Sequence, residues 1–231
     1  MWNAEGSKVK IKKQEQRNLK FPTDNHKEYI DYMISICNKN SLSLVLEGSL
    51  AHGIAKPFSD VDLILCGEIN SHLLDEIIGD YNRIIMTNHT ENPKGIFILN
   101  YENGISVDLD IRDTVLQSEL DNEIILCDYG FRISNQKKRK IIHSKFLPER
   151  AEWYKAVRLI HRCCIKYLCG KHIAAEALAI EVEDAITKCC GENRHEGGMK
   201  DRMEFSLSEL NRNYNVDENI LKLFNTIFEH M

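Results

Sequence analysis

Asp60 and Asp62 stand two residues apart at the head of an apolar run, Val61-Asp62-Leu63-Ile64-Leu65. Side chains alternate along a strand, so the two carboxylates share one face while Val61, Leu63 and Leu65 share the other. Adjacent carboxylates repel, and one pKa rises unless a counter-charge intervenes. A divalent cation removes that conflict, and hard cations such as Mg²⁺ take oxygen ligands of this kind. Just upstream, the apolar run Leu44-Val45-Leu46 is broken by Gly48-Ser49. Such a break exposes backbone N–H groups at a helix start, a place for a phosphate. An anion cradle beside an acidic pair suggests a nucleoside triphosphate and its Mg²⁺.

These groups need elements to hold them. Leu44–Leu46 reads as a short buried strand, and Ser49 as the N-cap of a helix over Leu50–Ile54. Lys56-Pro57-Phe58-Ser59 reads as a turn, because proline fixes its own φ and restricts the residue before it. Gly95–Tyr101 and Ile105–Ile111 are alternating runs joined by Glu102-Asn103-Gly104, and Asn-Gly between such runs signals a hairpin. The second arm carries Asp108 and Asp110 on one face. Pairing it beside the Asp60/Asp62 strand would gather the acids.

Gly48-Ser49, ten residues, then Asp60-Val61-Asp62 resembles the signature of the polymerase-β-type nucleotidyltransferase superfamily. The wording Gly-Ser-x-x-x-Gly-x-x-Lys-Pro-x-Ser-Asp-Val-Asp-Leu is most similar to bacterial antibiotic (aminoglycoside) nucleotidyltransferases and minimal nucleotidyltransferases. The resemblance implies an α/β (α+β) nucleotidyltransferase fold, a mixed sheet flanked by helices and followed by a C-terminal helical bundle. It implies catalytic, metal-binding roles for Asp60, Asp62 and a third acid on a later strand. Asp108 falls at that position, with Asp110 as an additional acid, and the choice between them stays open. Gly48, Ser49, Lys56 and Ser59 are the implied nucleotide-binding residues, with two Mg²⁺ ions and an NTP, ATP first.

The implied activity is transfer of an NMP to a hydroxyl of a small molecule, an aminoglycoside-type antibiotic being the first choice, with release of pyrophosphate and a role in antibiotic resistance. The alternatives are a macromolecular acceptor (a tRNA end, or a protein as in toxin–antitoxin systems), another nucleotide, or a non-catalytic nucleotide-binding member. Relatives often pair, so a homodimer is also implied. One departure bears on substrate: Leu46-Glu47 stands where an aromatic often precedes the Gly-Ser pair.

The 231 residues suit one large domain or two small ones, and 43% hydrophobic against 28% charged marks a soluble protein with a real core. A net charge of −5 gives no general case for nucleic acid. No apolar run approaches a membrane span, and polar and basic residues follow Met1-Trp2, so the expected address is the cytoplasm without a membrane partner. Eight scattered cysteines without a C-x-x-C pair read as reduced and mostly buried. A zinc site from His161, Cys163, Cys189 and His195 fits no common spacing.

Residues 1–20 form a basic leader, read as solvated or partly disordered, with an arm touching RNA or a triphosphate as the sharper reading. Residues 21–147 are the expected catalytic domain, with helices over His26–Asn38 and Ser71–Ile78 and a strand over Arg83–Met86. Lys137-Lys138-Arg139-Lys140 reads as a solvated face, or as a contact to a triphosphate or polyanionic acceptor. Residues 148–231 read as helical. Helices are expected over Glu149–Leu168, Ile173–Cys190, Ser206–Asn213 and Val216–Glu229, with a mobile loop over Asn193–Asp201. The second would bury Ala174, Ala177, Leu178, Ile180 and Ile186. Glu176, Glu181, Glu183 and Asp184 read as a wet helix face, or as groups facing an acceptor cleft.

Overall fold

The computed structural model describes residues 19–89, 95–146, 150–191 and 195–231. In chain order the elements are α1 (Asp24–Asn40), β1 (Ser43–Glu47), α2 (Gly48–Ala51), β2 (Val61–Cys66), α3 (Ser71–Gly79), β3 (Ile84–His89), β4 (Ile96–Tyr101), β5 (Ser106–Thr114), α4 (Gln117–Asn122), β6 (Ile124–Cys127) and β7 (Lys138–Arg139). Four helices follow: α5 (Glu152–Leu168), α6 (His172–Cys190), α7 (Met199–Tyr214) and α8 (Glu218–Glu229). The strands make one seven-stranded sheet in the order β3-β4-β5-β2-β1-β6, with β7 paired to β5. It is mixed: β2 and β5 run parallel, while β1–β2, β1–β6 and β5–β7 are antiparallel. A mixed sheet with flanking helices is the architecture the motif implied.

The chain divides into two compact units. One comprises Met1–Asn82, Asn88–Leu99 and Ile105–Phe146, the other Arg83–Thr87, Asn100–Gly104 and Leu147–Met231. Of the expected basic leader, residues 1–18 lie outside the described residues. In the first unit, β1 and β2 are central and buried on both faces, which is why Leu44, Val45, Leu46, Leu63, Ile64 and Leu65 form unbroken apolar runs. Helix α1 covers them with Tyr29, Ile30, Met33 and Cys37; of the apolar positions Ile30, Met33, Ile34 and Cys37 expected from helical spacing, Ile34 is only half-buried and Tyr29 takes its place. The Asn-Gly turn holds too: Gly104 takes φ +84° and its N–H donates to the Tyr101 carbonyl at 2.9 Å.

Several expected boundaries move. Helix α2 starts at Gly48 and ends at Ala51, with Glu47 rather than Ser49 at the N-cap. Strand β5 runs on to Thr114 because β7 pairs with its end, through Arg112 and Thr114. Helix α7 begins at Met199, well before Ser206. The Gly198 N–H donates to the Asp201 carboxylate at 3.1 Å, so the segment expected as a loop through Asp201 starts a helix instead.

In the second unit, α5, α6 and α7 pack on one another, and α5 also meets α8. Helix α6 buries Ala175, Leu178, Ala179, Val182 and Ile186, leaving Ala174, Ala177 and Ile180 exposed. Its sequence is rich in small apolar residues all round, so helical spacing alone fits two stripes, and packing selects the other one. All eight cysteines are free, five of them buried. Among the described residues no helix is long and apolar enough to cross a membrane.

Candidate active site

The parallel register between β2 and β5 pairs Asp62 with Asp108. On the other side of β2, the antiparallel register pairs Asp62 with Glu47. Directly paired residues point to the same face, and neighbouring strands lie about 4.8 Å apart. Glu47, Asp62 and Asp108 therefore make one lateral row of carboxylates at one end of three adjacent strands. Asp60 immediately precedes β2. Gly48 follows Glu47 with φ +70°, and a Cβ there would fall 2.1 Å from Asp62 Oδ2. The Asp62 carboxylate thus rests against the Gly48-Ser49 turn, at a distance only glycine permits.

The rest of the turn is closed by its own backbone. The His52 N–H donates to the Gly48 carbonyl at 3.2 Å and the Ile54 N–H to the Ser49 carbonyl at 3.0 Å. The Ser59 hydroxyl accepts the Lys56 N–H at 2.9 Å, so this side chain shapes the loop before Asp60. His26 on α1 anchors that loop through Nε2 and the Ser59 carbonyl, 3.0 Å apart. A carbonyl only accepts, so Nε2 carries the proton and Nδ1 accepts from the Thr23 hydroxyl at 2.6 Å. Burial pushes the His26 pKa down, which keeps the ring neutral. The Lys56 side chain is exposed.

Asp110 has a different environment, although it is only two residues beyond Asp108 on the same strand face. It is buried, its Oδ2 accepting from Arg112 Nε at 2.8 Å and lying 2.7 Å from Nη2, while Oδ1 accepts from Arg139 Nε at 2.9 Å. Arg112, 3% exposed, also donates to Glu119 at 2.6 Å. Glu119 is reached in turn by Lys137 at 2.6 Å and by the Leu116 N–H at 2.9 Å. Burial alone would raise the Glu119 carboxyl, but these donors hold it below its ordinary pKa.

The basic run is engaged by the same means: besides Lys137 and Arg139, Lys138 lies 3.8 Å from Asp113 and Lys140 lies 3.7 Å from Glu68. Glu47 stands at the margin of this network, 4.0 Å from Arg112 Nη2. Burial raises its pKa, and the Arg112 charge offsets only part of that rise.

The donor set of Asp60, Asp62 and Asp108 is all carboxylate oxygen, which suits a hard cation. Among the described residues, however, no group of three or more His, Cys, Asp or Glu side chains is arranged to hold a metal ion, the zinc combination included. In the helical unit, Glu176 and Glu183 pair with Arg202 at 2.9 and 2.7 Å, while Glu181 and Asp184 are exposed. Burial drives the His161 pKa down to about 3, marking a packed helix residue.

Sequence reasoning missed Glu47, whose signal was present: it ends the β1 run next to the glycine, so an antiparallel return strand had to place it opposite an acid. It also missed the Arg112–Glu119 pair, although Asp110-x-Arg112 is the spacing that puts opposite charges on one strand face.

Among solved structures the chain is similar to CCA-adding enzymes. One is an apo form, at 10% identity and a TM-score of 0.36, covering 96% of this chain and 54% of that one. A complex with CTP gives 12% identity and a TM-score of 0.32, covering 94% and 52%. The Thermotoga maritima enzyme complexed with tRNA gives 11% and 0.33, covering 94% and 54%. The chain spans about half the length of each of these proteins. No protein-family model matches it. No curated protein matches it in sequence either.

Proposed function

We propose that this protein is a Mg²⁺-dependent nucleotidyltransferase that moves an NMP from an NTP to a hydroxyl. The observation that carries the reading is the pairing of Asp62 with Asp108, with the Asp62 carboxylate seated against Gly48. A row of acids is self-repelling unless a cation joins it, and a glycine turn beside it offers backbone N–H groups to a phosphate. Asp60, Asp62 and Asp108 would hold the Mg²⁺ ions, which when bound supply charge neutralisation and orientation to a triphosphate. Asp108 is the third acid in this reading, because two guanidinium groups already occupy Asp110.

The Gly48-Ser49 turn and the Ser49 hydroxyl hold the β- and γ-phosphates. Asp108 takes the proton of the acceptor hydroxyl as that oxygen bonds to the α-phosphorus. The bond to the β-phosphate oxygen breaks, and pyrophosphate leaves. Positioning and electrostatics provide most of the rate, as in other phosphoryl transfers.

The acceptor is a small hydroxylated molecule of cationic character, as in an aminoglycoside. Net charge −5 and the engagement of residues 137–140 in ion pairs weigh against a polyanion. The test is incubation of the chain with Mg²⁺, each of the four labelled NTPs and a panel of acceptors. Pyrophosphate release dependent on aminosugars is the expected result, with ATP as the best donor. Label on RNA or protein would move the acceptor to a macromolecule. Nucleotide binding without turnover would remove the enzyme.

A further inference from the structure

The loop that delivers Asp60 is tied to a helix by one buried histidine. His26 is 1% exposed on the first turn of α1, and its Nε2 reaches the Ser59 carbonyl across 33 positions of sequence. Ser59 is also tied from within the loop: its N–H donates to the Lys56 carbonyl at 2.9 Å, and its hydroxyl accepts the Lys56 N–H at 2.9 Å. Those two bonds close the turn on itself. The bond from His26 fixes the closed turn to α1, and Asp60 is the next residue.

The helix gives up a cap to make this connection. Thr23 is the N-cap of α1 and His26 stands three residues on, the two positions that in a capping box satisfy free backbone N–H groups. Here the Thr23 hydroxyl caps nothing and donates instead to His26 Nδ1 at 2.6 Å. That bond leaves the ring proton on Nε2, the atom facing the Ser59 carbonyl. A buried ring needs partners for both nitrogens, but it does not need them beside Asp60 at the expense of a helix cap. Asp62 and Asp108 are placed by the pairing of β2 with β5, whereas Asp60 lies ahead of β2 and takes its position from the loop.

We propose that His26 is a positioning residue for the Asp60 carboxylate, with Thr23 setting its tautomer. The inference rests on the nucleotidyl-transfer reading, which gives Asp60 a cation to hold.

The probe is Mn²⁺, titrated calorimetrically into the full chain with an ATP analogue bridged by a methylene between its α- and β-phosphates, beside thermal melts. The amide of His26→Asn stands in for Nδ1 and leaves Ser59 without its donor, so Mn²⁺ affinity should fall about tenfold or more, the usual cost of losing a group that orients a metal ligand. His26→Gln carries an N–H at the place of Nε2 and should keep most of the affinity. Thr23→Val, at a half-buried position, keeps the shape without the hydroxyl and should fall between them. His26→Asn that binds Mn²⁺ as the wild type does overturns the inference. So does His26→Gln as weak as His26→Asn, which would make the ring a packing group. Should melts show His26→Asn unfolded, Thr23→Val decides, and unchanged affinity there overturns the inference. Wild-type protein that binds no Mn²⁺ with the analogue overturns the nucleotidyl-transfer reading, and this inference with it.

Discussion

Two charged clusters that meet on strand β5 are built in opposite ways. At one end, Glu47, Asp62 and Asp108 line up acid beside acid across β1, β2 and β5. Two residues further along β5, Asp110 is clasped by Arg112 and Arg139, and Arg112 continues to Glu119 and Lys137. The inner row carries its own counter-charges, which is how buried ions are normally tolerated. The outer row lines up acids beside a glycine turn, where we propose that a cation binds.

The sharpest way to break this contrast is to remove one charge from each row. Asp108→Asn should lower NMP transfer by about 10²–10³-fold or more, the usual cost of deleting one group that stabilises transition-state charge. Asp110→Asn should do the reverse, lowering the melting temperature while each folded molecule keeps most of its transfer rate. Single-turnover assays beside urea melts separate the two. Equal losses of activity at equal stability would show that the rows are not distinct.

Next in size is the inner row itself. Arg112→Ala strands Asp110 and Glu119 without their shared guanidinium. Arg139 and Lys137 still reach the two acids, so the loss falls below the roughly 3–5 kcal/mol that a fully uncompensated buried charge costs, yet lowers stability clearly. Arg112→Met keeps the volume but not the charge and should fare little better while both acids remain. Combining it with Asp110→Asn and Glu119→Gln should recover much of the loss in urea denaturation. A triple variant as weak as Arg112→Met would mean the guanidinium contributes packing, not charge compensation.

The division between what the chain announced and what it hid follows the range of the interactions. The Gly48 break and the Asn103-Gly104 hairpin are local, and both were legible from neighbouring residues alone. Pairing Asp62 with Asp108 was expected once the hairpin was placed beside β2, since the side-chain period of two decides the face. Asp110 stayed open as an additional acid beside Asp108 because period two cannot see Arg139, which arrives from β7 after a long excursion. Nor did residues 137–140 announce their partners, since Asp113, Glu119 and Glu68 meet them only through the sheet. On α6 the ambiguity lay within one element: two apolar stripes had the same period, and only packing against α5 and α7 chose between them.

Glu47 belongs to both rows, and it offers the smallest and most discriminating effect. Burial raises its carboxyl pKa, and Arg112 at 4.0 Å lowers it only in part. A carboxyl whose pKa is higher folded than unfolded binds its proton more tightly in the native state. Its favourable contribution is therefore complete below the unfolded value, about 4.3, and is lost as pH rises through the folded one. At neutral pH the ionised group opposes folding. Glu47→Gln removes that opposition and should raise stability at pH 7, with the advantage over the wild type shrinking as the pH is lowered. Thermal melts of both proteins across that range test the sign. A variant less stable at pH 7 than the wild type would mean that Arg112 compensates Glu47 fully, so that Glu47 belongs with the inner ion pairs and the outer row reduces to Asp62 and Asp108.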